Sequence, residues 1–212
     1  MNLINILNSI YKLNSTIKII QGEQIMPPRN VKTVKQIIFW QYAKIISNSA
    51  GMGKENYGMI MSTYKKLCSG EIHWSTSVRE WLLEQEKDDA CIYCGEKLQL
   101  TTDHIFPRIY GGEDIPDNVV RICKSCNSSK GCKGFYEWKG LDKKDEHNRI
   151  AEGKYLKYIY TLHEKNGTLD STIEELCDGC KLKSKCIEEG HASQATVYCL
   201  EGSLMKKEKI MS

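Results

Sequence analysis

Thr102-Asp103-His104-Ile105-Phe106-Pro107-Arg108-Ile109-Tyr110-Gly111-Gly112 sits between two cysteine pairs, Cys91-Ile92-Tyr93-Cys94 and Cys123-Lys124-Ser125-Cys126. Twenty-eight residues separate the pairs. Four thiolates delivered as two Cys-x-x-Cys steps suit a closed tetrahedral Zn2+ site. Such a site supplies folding energy to a segment too short to build its own core. The stretch also carries turn signals, Gly111-Gly112 and Pro116-Asp117-Asn118. These spacings predict a knuckle, a strand reaching Asp103-His104, a loop, a second strand over Val119 to Ile122, and a helix from near Cys126 or Asn127.

Upstream, Val34, Ile37, Ile38, Tyr42, Ile45 and Ile46 recur at helical spacing and Gly51-Met52-Gly53 stops them. A second helix is predicted from Tyr57 to Cys68, ending at Gly70. A third starts at the capping box Ser77-Val78-Arg79-Glu80. Trp40, Tyr42, Tyr64 and Trp81 are read as core residues of this helical module, residues 27–89. Residues 1–26 read as an extension ahead of an alternative start at Met26-Pro27-Pro28. Downstream of the central segment, 90–139, a charged linker from Asp142 to Arg149 leads to a helix over Gly153 to Lys165. That helix carries Tyr155, Tyr158, Ile159 and Leu162 on one face, and Ser171-Thr172-Ile173-Glu174 caps a short helix beyond it. The class is α+β, with residues 150–212 forming a helical, Cys-rich extension.

Apolar residues make up 41% and charged residues 27%, the proportions of a folded globular chain and not of a disordered one. The net charge of +3 is small but unevenly placed. Pro27 to Lys66 holds seven basic residues against Glu55, and Arg121 to Lys139 holds five against Glu137, whereas Glu71 to Asp89 carries six acids against two bases. A basic field on one face suits a polyanionic partner, although solvated helix faces give the same pattern. No stretch approaches the roughly 18 consecutive apolar residues of a membrane span, and no secretion signal is evident, which predicts a cytoplasmic protein without a membrane partner. In a reducing compartment paired cysteines signal metal more often than disulfide.

The run from Thr102 to Gly112, the Asp117-Asn118-Val119-Val120 that follows, and Cys123-Lys124-Ser125-Cys126-Asn127-Ser128-Ser129-Lys130-Gly131 together resemble the HNH, or ββα-metal (His-Me finger), endonucleases over about 45 residues. The third signature position is Asn127 instead of His. The segment is therefore similar to an H-N-N variant, as in the phage junction-resolvase branch and in HNH domains that pair Asp with Asn at the metal. The resemblance implies a zinc-stapled ββα-metal core acting as a hydrolase on DNA, with RNA as the other candidate substrate. His104 is the expected general base, taking a proton from the attacking water. Asp103 and Asn127 are the expected oxygen ligands of a catalytic divalent ion, and the amide favours hard ions such as Mg2+ or Mn2+. Asn118 is expected to tie down the loop and orient the imidazole. Arg108 and Lys130 are the candidates for phosphate contact. Singly, Asp103-His104, Asn118 and Asn127 are ordinary cap and turn residues, and their joint arrangement carries the reading. Cutting both strands would need a homodimer or two encounters. The alternative from another class is a zinc-ribbon nucleic-acid-binding protein without catalysis.

Cys177-x2-Cys180-x5-Cys186-x12-Cys199 is a second four-ligand set, with His191 able to replace the last member. Thiolates accept either a second Zn2+ or a 4Fe-4S cluster, and zinc is preferred because the chain already holds one. Cys68 and Cys132 read as plain thiols. His73, His147 and His163 read as surface residues without partners.

Overall fold

The computed structural model describes residues 28, 31–74, 89–141, 148–190 and 196–205. The helix expected from Ser77, the extension 1–26, and Trp81, His147 and His191 lie outside them.

Helix α1, Val34–Ser49, begins where the Thr33 hydroxyl accepts from the Gln36 backbone and the Gln36 side chain returns to the Thr33 N–H. That reciprocal pairing satisfies two donors that would otherwise be orphaned at a helix start. The predicted apolar stripe is only part of what α1 buries. Phe39, Trp40, Gln41 and Lys44 are buried as well, because α1 has neighbours on several sides. On one side lies α2, Tyr57–Ser69, capped by the Asn56 side chain and closed by Gly70 at φ 77. On others lie α5, Arg149–Lys165, and α8, Tyr198–Gly202. Lys44, counted in the basic field from the sequence, is 1% exposed and offers nothing to a polyanion. Trp40, Tyr42 and Tyr64 are core residues; Trp40 and Tyr64 meet edge to face at 5.7 Å, and Tyr42 meets Trp74 at 4.7 Å.

Between α2 and α5 lie β1, Leu100–His104, β2, Val119–Cys123, α3, Lys124–Lys130, and α4, Phe135–Lys139. The strands pair antiparallel with Leu100 opposite Cys123 and His104 opposite Val119. Two strands alone are marginal in water. Here Val120 and Ile122 turn into the core, where Ile105, Phe106 and Tyr155 are also fully buried.

Helix α5 starts four residues before the sequence reading placed it. Asn148 Oδ1 caps the backbone N–H groups of Ile150 and Ala151, so Arg149 belongs to the helix and not to the linker. After it come α6, Ile173–Cys177, α7, Lys183–Glu188, and α8. Thr172 and Glu175 form a capping box at α6. Val34 N donates to Ser171 O and Lys35 N to Leu169 O, which joins the start of α1 to the segment after α5. The helices on either side of the central segment thus share one hydrophobic core. No helix among the described residues is long and apolar enough to cross a membrane.

His163 departs from its expected surface position. It is fully buried, with Nδ1 2.7 Å from Thr168 Oγ1 and Nε2 2.8 Å from the Leu200 carbonyl. Burial lowers its pKa from the ordinary histidine value, although the Leu200 carbonyl works the other way. Thr168 lies five residues on, but Leu200 lies thirty-seven residues away, so only folding could supply that partner.

Candidate active site and metal centre

The frame begins at the first knuckle. Cys91 N donates to Glu96 O at 2.7 Å and Gly95 N to Cys91 O at 2.8 Å, a turn that needs the left-handed φ of 77 at Gly95. Ile92 N donates to Arg121 O and docks the knuckle on β2. Cys123 ends β2 and also caps α3, its Sγ accepting from Cys126 N at 3.4 Å. A thiol acting as the cap starts this helix at Lys124, two or three residues before the predicted start near Cys126 or Asn127.

The Sγ atoms of Cys91, Cys94, Cys123 and Cys126 all lie within 4.8 Å of one another, with Cys94 and Cys123 3.7 Å apart. Zn–S bonds of about 2.3 Å in a tetrahedron put the sulfurs about 3.8 Å apart, so the set fits a zinc ion. Burial raises the Cys91 thiol, but backbone hydrogen bonds from Cys123, Cys94 and Tyr93 outweigh it and bring the thiol down to about 7. The four cysteines thereby tie the knuckle, the end of β2 and the first turn of α3 together.

Asp103 and His104 close β1 opposite this staple. Lys130, expected at a phosphate, is instead fully buried. Its Nζ lies 2.8 Å from Asp103 Oδ2 and donates to the His104 carbonyl at 2.8 Å. A side chain with no solvent exposure has no free face for a phosphate, so its charge is used inside the fold. Asp103 Oδ2 is buried and makes no well-aligned hydrogen bond; it has the ammonium charge beside it and little else. Tyr93 lies close enough that the Asp103 carboxylate, after burial, raises its phenol well above the ordinary value, and the Tyr93 hydroxyl is also buried without a partner. Asn127 stands on α3 one turn before Lys130, and residues three apart share a helix face. The Lys130 contact therefore brings that face of α3 to the end of β1.

His104 Nε2 is 3.1 Å from Asp114 Oδ1, a partner the sequence reading missed. Nothing in the sequence distinguished Asp114 from its acidic neighbour Glu113. Asn118 is fully buried: its Oδ1 accepts from Phe106 N, while its Nδ2 donates to the carbonyls of Phe106 and Glu113. These three bonds fasten the loop on both sides of the Arg108–Tyr110 turn. Gly112 allows the loop to close, since a Cβ there would collide with the Phe106 carbonyl and lie 2.9 Å from Pro107. Arg108 is exposed on that turn.

Helix α5 holds the same loop from behind. Glu113 N donates to Tyr158 Oη at 2.9 Å, Lys165 reaches the Glu113 carboxylate, Lys157 reaches Asp117 at 2.8 Å, and Lys154 donates to Val119 O. The loop that carries Asp114 is therefore positioned by residues about forty positions away in sequence.

Residues 91–134 match the family model described as HNH endonuclease. That segment belongs to the HNH endonuclease family. The chain is also similar to the CRISPR-associated endonuclease Cas9 of Corynebacterium diphtheriae, with 36% identity over 58 residues. The aligned stretch is 26% of this chain and 5% of that relative, so the likeness concerns the HNH segment and not the whole protein. No solved structure gives a significant match. Within the HNH segment, the zinc frame and the α+β class agree with the sequence reading.

Proposed function

We propose that the HNH segment is the catalytic unit of a metal-dependent endonuclease that hydrolyses DNA phosphodiester bonds. The observation that carries this reading is the His104–Asp114 pair at the mouth of a loop pinned by Asn118, beside a buried carboxylate at Asp103. With Nε2–H donated to Asp114, Nδ1 is left as the proton acceptor. His104 then removes a proton from water as the water attacks phosphorus, a general-base contribution of roughly 10²–10⁴-fold. Asp114 holds the ring in that tautomer, and Asn118 keeps the Asp114 loop in place. Exposed Arg108 steadies a phosphate by charge-assisted hydrogen bonds. Asp103 and Asn127 supply the hard oxygen donors that would hold Mg2+ or Mn2+, an ion that neutralises charge on the phosphate and the leaving oxygen when bound. One site cuts one strand, so a double-strand break requires two copies or two encounters.

The Lys130–Asp103 pair favours a second reading, a zinc-ribbon nucleic-acid-binding protein whose carboxylate is already neutralised. Nicking of supercoiled plasmid in Mg2+ or Mn2+ separates the two. Wild type should nick, and His104→Ala should lose roughly 10²–10⁴-fold of the rate while keeping its circular dichroism spectrum. A wild-type chain that binds the plasmid yet leaves it intact with either ion would establish the second reading.

A further inference from the structure

We propose that Cys177, Cys180, Cys186 and Cys199 form a cradle for a 4Fe-4S cluster. The four come from three short helices and one turn. Cys177 ends α6, and Cys180 follows in a turn with its N–H on the Cys177 carbonyl at 3.3 Å. Cys186 lies in α7 and Cys199 in α8. Gly202 lies one turn beyond Cys199, and a Cβ on it would overlap Cys180 Sγ. Cys180 therefore occupies the place a side chain would take on the helix face that bears Cys199. Lys181 N donates to the Gly202 carbonyl at 3.0 Å and keeps it there. The Thr196 hydroxyl stands 3.7 Å from Cys186 Sγ and 3.9 Å from Cys199 Sγ, so those two sulfurs face one another across it.

Helices of five or six residues have little stability of their own, and three of them meeting around four thiols need a cross-link. Cys180 lies within electrostatic reach of Cys177 and Cys186, and Cys199 within reach of Cys180 and Cys186, so the four sulfurs are neighbours.

Spacing selects the occupant. Among the described residues, the sulfurs packed within 4.8 Å of one another are those of Cys91, Cys94, Cys123 and Cys126, and the tail cysteines form no such set. A single zinc ion draws four thiolates onto one centre, whereas a cubane cluster spreads them over four irons and holds them farther apart. The first site has the spacing of a single ion, which the second lacks.

The full chain, purified without oxygen, should be brown and contain about four irons and about four acid-labile sulfides beside one zinc. Cys186→Ser and Cys199→Ser should lose iron and sulfide but retain that zinc, which reports an intact first site. Two zinc ions per chain without sulfide would overturn the proposal. So would a chain with one zinc that takes up no iron on anaerobic reconstitution with iron and sulfide. None of these readings depends on DNA cleavage.

Discussion

Lys130 shows how one residue's role depends on where its charge ends up. Its ammonium is buried between Asp103 and the His104 carbonyl, so it balances a carboxylate that would otherwise stand uncompensated. Removing one partner of a buried pair costs roughly 3–5 kcal/mol. Lys130→Met should therefore lower stability in urea by about 3 kcal/mol, and Mn2+ should restore part of the loss by binding Asp103 in the folded state. A variant whose midpoint is unmoved, with or without Mn2+, would show that the pair is not the compensating contact. Glu201 presents the opposite case. Fully buried, it accepts from the backbone of Tyr136 and Glu137 and from the Tyr155 hydroxyl, so a carboxylate from α8 caps α4. Burial raises its pKa to about 7 even so. Because the folded value lies above the ordinary carboxylate value, the folded state binds this proton more tightly. The stability it contributes is complete below the ordinary value and is lost as pH rises through about 7. Denaturant melts from pH 5 to 8 should show this decline, and Glu201→Gln should flatten it.

At the scale of elements, the zinc frame does for β1, β2 and α3 what a larger core does elsewhere. A two-stranded sheet with a seven-residue helix has too little apolar surface to hold together alone. Here Cys123 joins the strand to the helix as N-cap and as one of the four cysteines spaced for zinc. Zinc removal by a chelator, or Cys94→Ser, should therefore unfold residues 91–134 while α1, α2 and α5 persist. Hydrogen exchange would show this as lost protection in β1, β2 and α3 with little change in α1. Uniform loss across the chain would mean that the HNH segment and the helices unfold as one unit. The same elements show where local reading falls short. Thr33 and Asn56 cap their helices with side chains visible in the sequence, and those starts were legible, whereas the box at α6 is Thr172 with Glu175, one residue beyond the Ser171–Glu174 that the spacing suggests. Helix α3 is capped by a sulfur and α5 by an Asn inside a charged run, so both began earlier than their periodicity indicated.

Across the whole molecule, the HNH segment is built into a helical body. Helix α5 packs on α1, holds the Glu113–Asn118 loop through Tyr158, Lys157 and Lys165, and carries His163, which pairs with Thr168 and donates to the Leu200 carbonyl of α8. Tyr158→Phe removes the acceptor for Glu113 N–H and should cost about 1 kcal/mol of stability. If loop position limits the reaction, it should also slow nicking several-fold while plasmid binding stays unchanged; full activity in this variant would leave Asn118 as the sufficient fastening. The four cysteines with zinc spacing and the strand–loop–strand–helix order were legible from the chain alone, because both are local properties of 44 consecutive residues, and Asp103, His104, Asn118 and Asn127 are the candidates that the same stretch offers. Asp114 as the partner of His104, Lys130 as an internal counter-charge, the α5 clamp and the Glu201 cap were decided only by tertiary structure. Each depends on a charge or donor meeting a partner across a fold, and one-dimensional spacing holds no record of which surface acid or lysine will be the one that closes that distance.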